Sequence, residues 1–243
     1  MPTRIHKRLR RATAFAVFVA AAASAQKPPD LDVTARIQTA PSKTAKHQTT
    51  STPPAVLWLK PLTPGPALPA FTAPHGGFTL LQKNKTFTPH LLVVPTGSVV
   101  MFPNADPFFH NVFSLFDGQR FDLGLYEAGK TKAVTFSREG VSYIFCNIHS
   151  EMSAVVLSLS TPLYSIAEKD GSFALHNVPP GEYELHLWVE GAPQALLDRW
   201  VHPVRISVAN RNLGTITVDA APPPAPHSNK FGQPYDRAQK PPY

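Results

Sequence analysis

"FCNIHSEMSAVVLSL" (residues 145–159) carries the only cysteine of a 243-residue chain. Cys146, His149 and Met152 follow one another at intervals of three, and the apolar run that comes next reads as a strand. A thiol, an imidazole and a thioether thus share one short loop at the edge of a sheet.

The surrounding chain has the same β character. "HLLVVPTGSVVMF", "KAVTF", "VSYIF", "SFALHNV", "EYELHLWVE", "VRISV" and "LGTITV" are short β-prone runs punctuated by Gly, Pro, Asn and Asp. No segment sustains a capped helical period. Strands at this spacing predict an all-β protein built as sandwiches or barrels.

The chain opens with "MPTRIHKRLRRATAFAVFVAAAASAQ". A basic head, an apolar stretch too short to span a bilayer and an Ala23-Ser24-Ala25 cleavage site predict a signal peptide over residues 1–25 and export to the periplasm. Arg10-Arg11 leaves Sec and twin-arginine export both open. The full chain is strongly basic, at +7, but five basic residues and no acid lie in the first 25. Residues 26–243 therefore carry 18 basic against 16 acidic side chains, a net of +2. No basic stripe remains to suggest nucleic acid, and no second apolar stretch suggests a membrane anchor.

In an oxidising compartment a lone cysteine has no disulfide partner in its own chain. It can be an inert core residue, a nucleophile with His149 as base, or half of an interchain disulfide. Its neighbours favour a fourth reading. Cys, His and Met are graded soft and borderline donors, and a His₂Cys set with a weak axial Met is the donor set of electron-transfer copper. The second imidazole must come from elsewhere. "FPNADPFFHNVFSLFDG" offers His110, 36 positions before Cys146 and at the start of a strand-like run. No His-x-His pair is present, which argues against a copper oxidase.

On these residues, segment 78–160 resembles the cupredoxins, or blue copper proteins, and within them the amicyanin-like members with the short Cys-x-x-His-x-x-Met loop. The layout is similar to chains labelled "methylamine utilization protein". The resemblance implies a Greek-key cupredoxin β-sandwich that holds one type 1 copper ion. It makes His110, Cys146 and His149 equatorial ligands and Met152 the axial one. Asn111 takes the position that pins the two ligand loops together by hydrogen bonding, while Asn147 departs from the Thr or Ser often found after the Cys. His149 is expected near the surface, as the exit for the electron. These residues imply a one-electron carrier, not an enzyme, working between a redox protein donor and acceptor as a monomer or in weak complexes. The alternatives are a copper-handling protein that shuttles no electrons, or a β-sandwich adhesion module with a non-functional copper site.

Downstream, "AEKDGSFALHNVPPGEYELHLWVEG" sets two alternating strands between a Lys169-Asp170-Gly171 turn and a Pro179-Pro180-Gly181 turn. Residues 161–219 resemble a small transthyretin-like, carboxypeptidase-regulatory sandwich. Such a domain needs two more strands, and two unassigned candidates lie upstream in the extension 26–77, at about 31–38 and 54–62. One expectation is that these strands open the second sandwich, with the copper segment inserted between its strands; the other is that they extend the cupredoxin. His90, His176, His186 and His202 are expected to be structural, and residues 220–243 to be a Pro-rich tail, stiffened and not folded.

Overall fold

A computed structural model describes residues 29–40, 52–63, 68–115, 118–219 and 227–235. The expected signal peptide, His47 and most of the Pro-rich tail lie outside the described residues. The strands in chain order begin with β1 (Leu31–Ala40), β2 (Ala55–Pro61), β3 (Phe78–Thr79), β4 (Leu81–Lys83), β5 (Thr86–Thr88) and β6 (Leu91–Pro95). Then follow β7 (Ser98–Pro103), β8 (His110–Ser114), β9 (Phe121–Tyr126), β10 (Thr131–Phe136), β11 (Gly140–Cys146) and β12 (Ser153–Leu159). The last are β13 (Tyr164–Ile166), β14 (Ser172–Val178), β15 (Gly181–Val189), β16 (His202–Ile206) and β17 (Asn212–Asp219). One short helix, α1 (Gln194–Leu197), follows β15. The all-β expectation holds.

The strands form two sandwiches. In the first, β10-β7-β3 and the β4–β5 hairpin face the five-stranded sheet β6-β12-β11-β8-β9. Alternation along β11 and β12 sends Ile144, Cys146, Ala154 and Val156 into one core with Val100, Phe102, Val112, Phe136 and Met152. The second sandwich pairs the sheets β13-β2-β15-β16 and β14-β1-β17. Strand β1 shows why it forms: Leu31, Val33, Ala35 and Ile37 are buried and the residues between them exposed, the period-2 pattern of a sheet with one wet face.

Strands β1 and β2 lie in the second sandwich. β1 runs antiparallel to β14 and parallel to β17, and β2 lies antiparallel between β13 and β15. All of the first sandwich sits between β2 and β13 in sequence. The three-residue strand β13 has no clear signal in the sequence. It forms because Tyr164–Ile166 pairs in register with Trp58, Leu57 and Val56.

The two sandwiches share a core. β2 is buried on both faces, which is the pattern of an inner sheet. One row of side chains, with Leu57, Leu59, Leu185 and Leu187, meets the β1 sheet. The other row, with Val56 paired to Trp188 and Trp58 to His186, meets the outer face of the five-stranded sheet, where Val93, Val155, Leu157 and Leu159 project. Trp188 Nε1 donates to Tyr143 Oη at 3.4 Å, and Lys60 Nζ to Glu139 Oε2 at 3.1 Å, across that boundary. The result is four stacked layers with the metal-ligand candidates at one end of the second layer.

Candidate metal centre

His110 opens β8 and Cys146 ends β11. These strands pair antiparallel, with Phe113 opposite Phe145 and Val112 opposite Cys146. The register brings a residue near position 110 beside the loop that leaves position 146. That loop then turns tightly: Met152 N–H donates to His149 O at 3.1 Å, and Cys146 N–H to Met152 O at 3.2 Å. Asn147 N–H donates to Asn111 O at 2.8 Å, so the two loops are tied through the backbone.

The three donor atoms converge. Cys146 Sγ lies 3.6 Å from His110 Nδ1 and 3.6 Å from His149 Nδ1, and the two Nδ1 atoms are 3.2 Å apart. The centre of that triangle lies about 2 Å from each corner, which is the bond length of a borderline metal ion to imidazole nitrogen. All three side chains are buried, and among the described residues no other group of three or more His, Cys, Asp or Glu is placed to hold a metal ion. One thiol and two imidazoles are the donor set that copper favours, so the residues present fit that ion. Met152 is fully buried in the same core as Cys146.

Asp106, which the sequence reading did not single out, sets the orientation of His110. Its carboxylate accepts from His110 Nε2 at 2.9 Å, so Nε2 carries the proton and Nδ1 presents its lone pair to the cluster. The carboxylate also accepts from the backbone N–H of Asn84 at 2.6 Å and of Lys85 at 3.0 Å. Asn84 and Lys85 both have φ of 55°, the left-handed turn that joins β4 to β5. The hairpin turn is thereby fastened to the residue that aims the first imidazole. Burial works to raise the Asp106 carboxyl, but the N–H of Lys85, the His110 ring and the N–H of Asn84 outweigh it and hold it below its ordinary value.

The electrostatics favour uncharged imidazoles. Burial pushes the Cys146 thiol up, while the backbone N–H groups of Asn111, Ile148 and His149 pull it back toward the thiolate. Burial, with His110 and Lys85 nearby, lowers His149 to about 4. Burial also lowers His110, against the pull of Asp106. Without a cation the site therefore holds neutral imidazoles, which is the protonation state that ligates.

One expectation needs correction. His149 does not reach the surface: it is 3% exposed, because the Phe108 ring stands 5.5 Å from it and 5.4 Å from His110, with Lys85 Nζ over that ring. Asn111 does tie the two ligand loops, through its backbone carbonyl, while its side-chain Nδ2 donates to Asp122 Oδ1 at 2.6 Å. Of the other histidines, His90 bonds Glu190 Oε1 at 2.6 Å and Ser153 O at 3.2 Å, and His186 stacks on Trp58 at 5.0 Å.

No known family profile matches the chain, and no curated protein does. Solved structures do. A purple cupredoxin from Nitrosopumilus maritimus is 21% identical over 34% of this chain and 99% of its own, with a TM-score of 0.31. Amicyanin from Paracoccus versutus is 19% identical over 36% of this chain and 85% of its own, with a TM-score of 0.30. A copper-containing nitrite reductase from Thermus scotoductus is 19% identical over 51% of this chain and 28% of its own, with a TM-score of 0.33. The functional reading of the site rests on this chain's own residues.

Proposed function

We propose that this chain is an exported type 1 copper protein of the cupredoxin kind that carries single electrons between redox proteins. His110, Cys146 and His149 would hold the ion, with Met152 as a weak fourth donor. The observation that carries the reading is the convergence of one buried thiol and two buried imidazoles from two distant loops onto a single metal-sized gap. The bound ion supplies a one-electron couple, Cu(II)/Cu(I).

The protein's part is to hold the donors still. Asp106 fixes the tautomer and direction of His110. The N–H groups of Asn111, Ile148 and His149 aim at the sulfur and favour its ionised form. The tie between Asn147 and Asn111 keeps the two loops at one separation. Phe108, Met152 and the core below enclose the donors. A carrier role suits this better than an enzymatic one. Phe109, exposed beside His110, lies on the surface that a redox partner would approach.

Export rests on the basic head, short apolar stretch and small-residue site at the start of the chain. Among the described residues no helix is long and apolar enough to cross a membrane. The second unit, with sheets β13-β2-β15-β16 and β14-β1-β17, is a two-sheet sandwich, and the transthyretin-like reading of it rests on the resemblance of residues 161–219.

Optical and EPR spectra of the copper-loaded chain, beside a Cys146→Ser variant, test the proposal. An intense visible thiolate-to-Cu(II) band, reversible on reduction and lost in the variant, is the expected result. A chain that holds only Cu(I) and stays colourless is a copper-handling protein instead, and one that binds no copper ends the proposal.

A further inference from the structure

Residues 227–235 are not an idle tail. They return from the second sandwich to the metal end of the first, and cover a face that the second sandwich leaves open. The outer face of the five-stranded sheet is covered by β2 and β15 along β6, β12 and the start of β11. At the other end of β11, Phe145 and Phe113 project side by side, their rings 5.9 Å apart. There the His227 ring stacks on Phe145 at 4.2 Å and 27°, and Tyr235 meets His227 edge-on at 5.1 Å.

The polar contacts of this segment go to the ligand loops. Tyr235 Oη donates to the carbonyl of Cys146 at 2.6 Å and lies 3.2 Å from His227 Nδ1, which donates back to it. Lys230 N–H donates to Asn147 Oδ1 at 2.9 Å. Lys230 Nζ donates to Asp122 Oδ2 at 2.7 Å, and the other oxygen of that carboxylate holds Asn111. One short segment thus grips the residue after the first imidazole, the residue after the thiol, and the backbone of the thiol itself. Its own shape is closed by Asn229, whose Oδ1 accepts from Phe231 N–H at 2.9 Å and Gln233 N–H at 3.0 Å.

We propose that residues 227–235 form a strap that holds the Cys146–Met152 loop and the His110 loop in register, with Tyr235 and Lys230 as its positioning residues. A segment that only shielded Phe145 would need no bonds to the loops. This one places its hydroxyl on the carbonyl of Cys146 and its ammonium on the carboxylate that fixes Asn111. Losing either bond leaves a buried or half-buried group without its partner and loosens the loop it held. The strap rests on the copper reading only for its spectroscopic consequence.

The test uses the full chain with Tyr235→Phe, Lys230→Ala, a chain ending at Pro226, and Val208→Ala as control, since that side chain is 70% exposed and lies outside the strap, between β16 and β17. In the metal-free proteins, hydrogen exchange at the amides of Cys146, Asn147 and Met152 is expected to rise about tenfold in Tyr235→Phe and further in the shortened chain. It should stay unchanged in the control. In the copper-loaded proteins the thiolate band and the reduction potential are expected to shift in Tyr235→Phe, which keeps the ring and loses only the hydroxyl. Unchanged exchange in both Tyr235→Phe and the shortened chain overturns the strap. Faster exchange with an unmoved band and potential overturns the positioning role of Tyr235. A full-length chain that takes up no copper defeats the copper reading alone, because the exchange measurement needs no metal.

Discussion

The Asp106 carboxylate and the His110 imidazole meet at 2.9 Å inside the first sandwich, both almost fully out of solvent. That bond leaves His110 only one nitrogen, Nδ1, with which to face the Cys146 sulfur. The carboxylate is held by two backbone N–H groups of the β4–β5 turn, so the imidazole inherits its direction from a hairpin that contributes no donor of its own.

Asp106→Asn keeps the size of the side chain and loses its charge. Copper affinity, measured by competition with a chelator, is expected to fall 10- to 100-fold, roughly the cost of removing a carboxylate that orients a ligating histidine. The Cys146 and His149 donors remain, so uptake should be weakened and not abolished.

Met152→Leu separates packing from ligation. The side chain is fully buried, and Leu has nearly its volume, so the urea-unfolding free energy of the metal-free protein is expected to change by less than about 1.5 kcal/mol. The reduction potential of the copper-loaded protein should nonetheless move, because the thioether is gone. A potential equal to that of the unmodified chain would remove Met152 from the donor set.

Trp188→Ala strikes the seam between the sandwiches. The indole is 1% exposed and bonds Tyr143 across the boundary. Truncation of a buried aromatic costs about 3–5 kcal/mol, and equilibrium unfolding in urea is expected to show that loss. Two separated unfolding steps would mean that the sandwiches are held together mainly by this contact.

His90 makes the seam sensitive to pH. The hydrogen bond to Glu190 leads the effects that raise its pKa, ahead of the opposing cost of burial. A group whose folded pKa is raised adds stability that is fully present below its unfolded value of ~6.5 and is lost as pH rises through the folded value. The urea midpoint is therefore expected to fall as pH rises from below that range to well above it. His90→Gln should flatten the fall, and a profile identical in both proteins would remove His90 as its source.

The site was legible where chemistry and local order coincide. Cys146, His149 and Met152 lie within seven positions of one another, and the strands on either side announce themselves by β-prone runs. His110 was legible because an imidazole was missing and the segment resembled the family's opening strands, which lead to a ligand His at that place. The missing strands of the second sandwich pointed to the candidates at 31–38 and 54–62 as its opening, and these became β1 and β2. Asp106 gave no such signal: its spacing of four from His110 has meaning on a helix, and here it lies in a turn whose course only the folded chain defines. Tyr235 and Lys230 were hidden by the prolines around them, because a composition that predicts an extended tail does not say what that tail lies against. The burial of His149 was likewise beyond local reading, since it depends on a Phe108 ring 41 positions earlier in the chain.

The nesting of one sandwich between β2 and β13 dictates an order of assembly. Strands β1 and β2 are the first described strands to be synthesised, yet β1 must wait for β14 and β17 near the far end of the chain. Closing so long a loop directly is entropically unfavourable and slow. Once the inner sandwich has collapsed, however, it works as a short rigid link that delivers β13 to the edge of β2. The maturing metal-site domain would then be the template on which its neighbour closes, so damage to its core should leave nascent β1 and β2 unpaired and prone to aggregate.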